Sequence, residues 1–145
     1  MGLINFKPFF YLFNSDTKIH TLEELCPFCE NLDIIIENDF WFSIYDSYPV
    51  NQGHILIIPK RHYSNYFESN QEELNNFNDI LFKVKEFLDN EFKPNGFNVG
   101  FNVNKEGGQT VFHTHVHVIP RYTNDVSKPE GGVRGVIPSK QSYNG

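Results

Sequence analysis

Three histidines stand at every second position in the stretch QTVFHTHVHVIPR, residues 109–121: His113, His115 and His117. Half of the chain's six histidines therefore fall within five residues. A neutral imidazole carries one lone pair and one N–H, so it serves as nucleophile, proton donor or metal ligand at neutral pH. Side chains on a β-strand alternate between its faces. The spacing predicts that the three rings share one face, while Thr114, Val116 and Val118 turn to an apolar core. Neighbouring rings would then lie about 6.6 Å apart. Such a row is too long for one metal to take all three in ideal geometry, since Zn–N bonds are only ~2 Å, although an adjacent pair can share an ion.

The residues just before the row are also chemically pointed. Gly107 and Gly108 permit close backbone approach to a ligand. Gln109 supplies an amide and Thr110 a hydroxyl. Together with imidazoles, these are the groups an oxyanion or phosphate requires. Attack of an imidazole on phosphorus makes a phosphohistidine and splits one hard displacement into two easier ones. Catalysis of such transfers is mostly placement and charge stabilisation. A second constellation is Cys26-Pro27-Phe28-Cys29. Two thiols at this spacing grip zinc or act as a redox pair, and a tetrahedral site needs two further ligands, for which His62 and His113 are the candidates. The pair fits no disulfide framework.

The elements that must position these groups are legible in outline. With 145 residues, 39 % apolar and 16 % aromatic, the chain is expected to fold around a single core. Residues 1–20 read as an irregular, Phe-rich arm containing a surface His20, and residues 21–145 as a single domain including its tail. Thr21 and Glu24 match a capping box for a short turn ended by Pro27. DIIIEN, DFWFSIYD and HILIIP read as three strands, the first two joined at Asn38-Asp39. A helix follows, with Ser69 and Glu72 as its capping box and Leu74, Phe77, Leu81, Val84 and Leu88 as its apolar stripe. KPNG stops it. FNVGFNVN and TVFHTHVHVIP read as strands four and five, joined by a short KEGG hairpin. The Gly- and Pro-rich tail after residue 120 is expected to run irregularly over the surface. Short connections favour antiparallel pairing, with the helix covering one face: an α+β layer.

Composition narrows the function class. The 12 basic and 18 acidic residues give a net charge of −6, with no basic cluster, which argues against a nucleic-acid surface. The greasiest stretch, INFKPFFYLF, is too short to span a membrane and is interrupted by Lys7 and Pro8. It lacks the flanks of a signal peptide, and Phe6 breaks a myristoylation motif at Gly2, so a cytoplasmic protein is expected.

HTHVHVIPR resembles the signature of the histidine-triad family, in which three histidines alternate with apolar residues. GHILIIPKRHY at 53–63, FNVGFNVNKEGGQTVFH at 97–113 and GGVRGVIP at 131–138 are similar to its bacterial members, including those that hydrolyse dinucleoside polyphosphates. Thr114 is a departure, since it fills the first apolar slot. The resemblance implies a five-stranded antiparallel sheet with one long helix, paired into ten strands in a homodimer. It implies a nucleotidyl hydrolase or transferase acting through a covalent intermediate on His115, with His117 and Gln109 on the phosphate. Thr110 and Asn102 would also belong to the phosphate site, with His54 beside it, and Asp46 would accept ribose hydroxyls. Cys26, Cys29, His62 and His113 would hold a structural zinc, leaving no open coordination position. The ligand would be a purine nucleotide, with adenosine preferred. Arg121 and Arg134 are either contacts for distal phosphates or solvated charges. Two other readings remain open: a nucleotide-binding regulatory module with little turnover, and a three-His metalloenzyme.

Overall fold

The computed structural model of the chain describes residues 25–143. The expected N-terminal arm, His20 and the Thr21–Glu24 capping box lie outside the described residues. Within them, β1 (Ile36–Glu37), β2 (Trp41–Tyr45), β3 (Ile55–Pro59), β4 (Gly96–Gly100) and β5 (Val116–Arg121) form one antiparallel sheet, in the order β1-β2-β3-β5-β4. One helix, α1 (Gln71–Phe92), connects β3 to β4. This is the expected α+β layer. No helix among the described residues is long and apolar enough to cross a membrane.

Pleat gives the sheet two different faces. Trp41, Ile55, Ile57, Val116 and Val118 turn toward α1 and pack with Phe77, Ile80, Val84 and Leu88. The Trp41 indole N–H donates to the Glu73 carbonyl at 2.8 Å, fastening β2 to the first turn of α1. The opposite face carries a smaller cluster of Phe42, Ile44, Leu56 and Ile58, with Phe28 and Leu32 against it. His117 pairs with Leu56 on one side and Gly100 on the other, so it belongs to this second face.

The hairpin turn forms at Asn38, whose Oδ1 accepts from the N–H groups of Phe40 and Trp41 at 3.0 and 2.9 Å. The helix begins one residue later than its expected cap. Ser69 spends its hydroxyl on the Tyr66 carbonyl and the Tyr63 hydroxyl. Asn70 caps instead: its side chain accepts from the Glu73 N–H, and the Glu73 carboxylate accepts from the Asn70 N–H. Glu73 can be buried there because Arg61 meets both carboxylate oxygens, at 2.8 and 2.9 Å. Burial alone would raise its pKa, but the bonds from Arg61 and Asn70 outweigh it and lower the carboxyl below its usual range. The buried stripe also differs from the expected one: Ile80 is fully buried and Leu74 is exposed.

Two further expectations are corrected. β5 starts at Val116 rather than Thr110, and no short hairpin joins it to β4. Residues 101–115 form a loop that closes on itself around Gly107, where a Cβ would collide with the Val103 carbonyl. The tail forms two short 3-10 turns, Gly132–Val136 and Pro138–Lys140.

Candidate functional site

The Cys26–Cys29 turn is closed by a bond from the Cys29 N–H to the Cys26 carbonyl, 3.1 Å. It aims both thiols at two imidazoles. The His113 Nδ1 lies 3.5 Å from the Cys26 sulfur and 3.4 Å from that of Cys29. The His62 Nδ1 lies 3.3 Å from the Cys29 sulfur and 3.1 Å from the His113 Nδ1. A tetrahedral zinc with Zn–N near 2.0 Å and Zn–S near 2.3 Å has ligand-to-ligand edges of roughly 3.3–3.8 Å. The three sulfur–nitrogen edges, 3.3–3.5 Å, fall in that range and the nitrogen–nitrogen edge, 3.1 Å, just below it; all four donors lie within 4.8 Å of one another. The His113 Nε2–H donates to the Pro59 carbonyl at 2.8 Å, which leaves the Nδ1 lone pair facing the cluster. Two thiols and two imidazoles match the donor set of a structural zinc, which would leave no position for water.

His115 lies just ahead of β5 and is almost fully buried. Its Nδ1–H donates to the His113 carbonyl at 2.8 Å. The lone pair is therefore on Nε2, the nitrogen a nucleophile must present. Thr114 points the other way: its N–H and hydroxyl both donate to the Tyr63 carbonyl, at 2.8 and 3.2 Å. The departure from an apolar residue is thus satisfied in place. The three rings do line one side, although only His117 lies within the strand ladder. Phe28 touches His113 and His115, with ring centres 6.0 and 5.2 Å away, and His115 lies 5.2 Å from His117.

His54 and Asp46 meet the far end of the row. The His54 Nδ1 accepts from the Val50 N–H at 3.2 Å, so the ring's proton is on Nε2. That nitrogen lies 2.9 Å from the His117 Nδ1 and 3.5 Å from Asp46 Oδ2. Donation from His54 makes the His117 Nδ1 an acceptor and leaves an N–H at the His117 Nε2. Burial first, then the adjacent His115 and His54 rings, push His117 down to about 4 against the pull of Asp46. Burial also lowers His54. Both rings are neutral at pH 7. Asp46, His54 and His117 converge closely enough to suggest a second cation site. The bond from Val50 argues otherwise, because it leaves His54 a proton rather than a lone pair toward that centre.

The remaining candidates lie on the loop. Asn102 and Thr110 are exposed. Gln109 is buried and turned to the loop itself: its amide N–H groups donate to the Ser64 and Val111 carbonyls, and its oxygen accepts from the Asn104 N–H. Gly100, opposite His117, leaves open space where a side chain would stand. Arg121 is committed to Asp125 through two bonds and to Asn98. Arg134 is committed to the carbonyls of Lys140 and Gln141 and stacks over Tyr143. Sequence reasoning missed Phe28, although its place between two thiols that face imidazoles was a signal: the apolar residue turns to the other side. It could not see the backbone partners of Pro59, His113 and Val50, which no residue type announces.

A family model described as the HIT domain matches residues 30–124. The chain is 35% identical over 105 residues to the protein hit of Bacillus subtilis, covering 68% of this chain and 72% of that one. It is 30% identical over 95 residues to the AP-4-A phosphorylase of Mycobacterium tuberculosis, covering 65% of this chain but only 49% of that longer protein. The crystal structure of a zinc-bound histidine triad family protein from Mycobacterium smegmatis superposes with a TM-score of 0.63 at 26% identity, covering 74% of this chain and 78% of that one.

Proposed function

The chain belongs to the histidine-triad family, that of the HIT domain, and from this premise we propose that it is a nucleotidyl hydrolase or transferase working through His115. The observation that carries the proposal is the tautomer of that ring. Its Nδ1–H is held by the His113 carbonyl, so the Nε2 lone pair is directed outward, next to an N–H on His117.

His115 Nε2 bonds to the α-phosphorus of a nucleoside phosphate ester, anhydride or phosphoramidate as the bond to the leaving group breaks. The leaving group takes a proton from solvent water as it departs, and the later hydrolysis returns one. Water then attacks the phosphorus, the P–N bond breaks, and the nucleoside monophosphate and free His115 are released. The neutral His117 donates its Nε2–H to a phosphoryl oxygen and does not compete for the proton, because burial holds its pKa low. His54 keeps His117 in that tautomer, and Asp46 would accept ribose hydroxyls. Asn102 and Thr110 approach the phosphate from the loop that Gln109 braces. Cys26, Cys29, His62 and His113 would hold zinc, which would fix the segment next to His115. Likeness to a diadenosine tetraphosphate phosphorylase supports an adenosine nucleotide as substrate and a dinucleoside polyphosphate or an adenosine phosphoramidate as its form. A homodimer is part of the same reading. β4 is an edge strand, and the exposed Val99 and Phe82 stand beside an apolar hollow formed with Leu81, Phe97 and Val118.

The test is trapping. Incubation with α-labelled diadenosine polyphosphate or adenosine phosphoramidate, quenched in alkali, is expected to leave an acid-labile nucleotidyl adduct on His115. Tight nucleotide binding with no adduct from any member of the panel would instead identify a binding module that signals through a partner.

A further inference from the structure

One hydrogen bond does not fix an imidazole. The bond from the His115 Nδ1 to the His113 carbonyl sets one edge of the ring but leaves it free to rock about the N···O line. Rocking turns the ring plane and swings the Nε2 lone pair with it, so the direction of attack is what the single bond leaves unset. Two rings oppose that motion. The His117 ring stands 5.2 Å away at 70°, and the Phe28 ring stands 5.2 Å away at 63° on the side of the thiol turn. Both are edge-to-face contacts, one of the arrangements aromatic rings prefer.

Phe28 is itself held from two directions. Its neighbour Cys29, and Cys26 two residues earlier, face His62 and His113. Its ring rests on the apolar cluster of Phe42, Ile44, Leu56 and Ile58. The turn therefore converts the geometry of a four-donor cluster into the position of one aromatic ring, and that ring abuts the nucleophile.

We propose that Phe28 is a positioning residue for His115: carried by the Cys26–Cys29 turn, it blocks rocking of the imidazole and fixes the direction of Nε2. The inference rests on the nucleotidyl-transfer reading of His115. It gives the thiol cluster a second route to the chemistry, through space, besides the route along the chain from the His113 carbonyl. Displacing a reacting group by about 1 Å costs on the order of 100-fold in rate, so a partial loosening is expected to cost roughly 10- to 100-fold.

The experiment compares Phe28→Ala and Phe28→Tyr with the wild-type full chain, all zinc-loaded. Three quantities are read: zinc per chain, the ring-nitrogen 15N resonances of His115 without substrate, and the single-turnover rate of adduct formation. Phe28→Ala is expected to retain its zinc, its nucleotide affinity and the His115 tautomer, to shift and broaden the His115 ring-nitrogen resonances as the ring leaves its fixed orientation, and to form adduct roughly 10- to 100-fold more slowly. Phe28→Tyr restores both the resonances and the rate. Unchanged His115 resonances in Phe28→Ala would overturn the proposal. So would a variant that loses its rate only as fast as it loses zinc, since Phe28 would then merely stabilise the turn. If the wild type forms no adduct, the nucleotidyl-transfer reading fails by itself, while the ring-nitrogen comparison still decides whether Phe28 holds His115.

Discussion

His113 and His115 are two residues apart, both buried, and chemically identical in the sequence, yet they present opposite nitrogens to opposite purposes. His113 gives its Nε2–H to the Pro59 carbonyl and turns its Nδ1 lone pair to the thiols. His115 gives its Nδ1–H to the His113 carbonyl and keeps its lone pair on Nε2. What differs is not the side chain but which backbone carbonyl takes its proton. The cluster end is closed, with four donors around one centre and no free position. The His115–His117 end is open, with one lone pair and one N–H beside the space left by Gly100. An imidazole's role is thus assigned by its second nitrogen.

The sharpest way to break this comparison is to remove each ring in turn. His115→Ala is expected to lower single-turnover rates by about 1,000-fold or more while nucleotide affinity survives, because the lost group acts only in the reaction. Its melting temperature stays within a few degrees. His113→Ala keeps the carbonyl that orients His115 but removes one of the four donors proposed to hold zinc. A ligand bound at about 1,000 times its Kd stabilises by about 4 kcal/mol. Losing that from a chain of this size lowers Tm by about 10 °C. Paired calorimetry and adduct kinetics check both. Equal losses of stability in the two variants would end the division of labour.

How much of this was written in the sequence depends on scale. The pattern of Trp41, Ile55, Ile57, Val116 and Val118 announced strands, and period-four apolar residues announced α1. Asn70 and Glu73 have the same capping-box spacing as Ser69 and Glu72, and what decides between the two pairs is not local: Arg61, just after β3, holds the Glu73 carboxylate by two bonds. The row of histidines was legible as a row, but not because a strand spans it. Phe28, Tyr63 and the loop impose the same alternation before pairing begins. Gln109 was visible as an amide near the triad. Its commitment to Ser64 and Val111 was not visible, because both partners are main-chain carbonyls brought in by the fold.

The open end contains a smaller comparison, between the ring proposed to react and a ring that sets another ring's tautomer. His54→Ala removes the donor to the His117 Nδ1, so the His117 proton is no longer confined to Nε2. Loss of such an orienting partner typically costs 10- to 100-fold, and about that fall in kcat/KM is expected, with the zinc cluster undisturbed. Steady-state kinetics beside a zinc assay reads the result. A rate equal to wild type would show that His117 holds its tautomer without help.

The smallest expected effect is in the pH dependence of stability, and it separates the two ends without any substrate. His117 is pushed down to about 4 by burial and by its neighbouring rings, whereas in the unfolded chain it titrates near the ordinary value of 6.5. Between those values the unfolded state binds the extra proton, so the free energy of unfolding falls as pH falls from about 6.5 to about 4, and this contribution levels off below. His54, also lowered, acts in the same direction. Asp46 partly offsets both by favouring their charged forms, and the loss assigned to His117 is about 1–3 kcal/mol. Release of zinc from its protonated ligands would add a second slope over a similar range. The two are resolved by difference: urea midpoints of wild type and His117→Gln, both zinc-loaded, are measured from pH 7 to pH 4. Removing the titrating ring should flatten the profile by the His117 share and leave the zinc-linked slope. If the two profiles run parallel, His117 is not held neutral by the fold, and its role as a permanent N–H donor loses its physical basis.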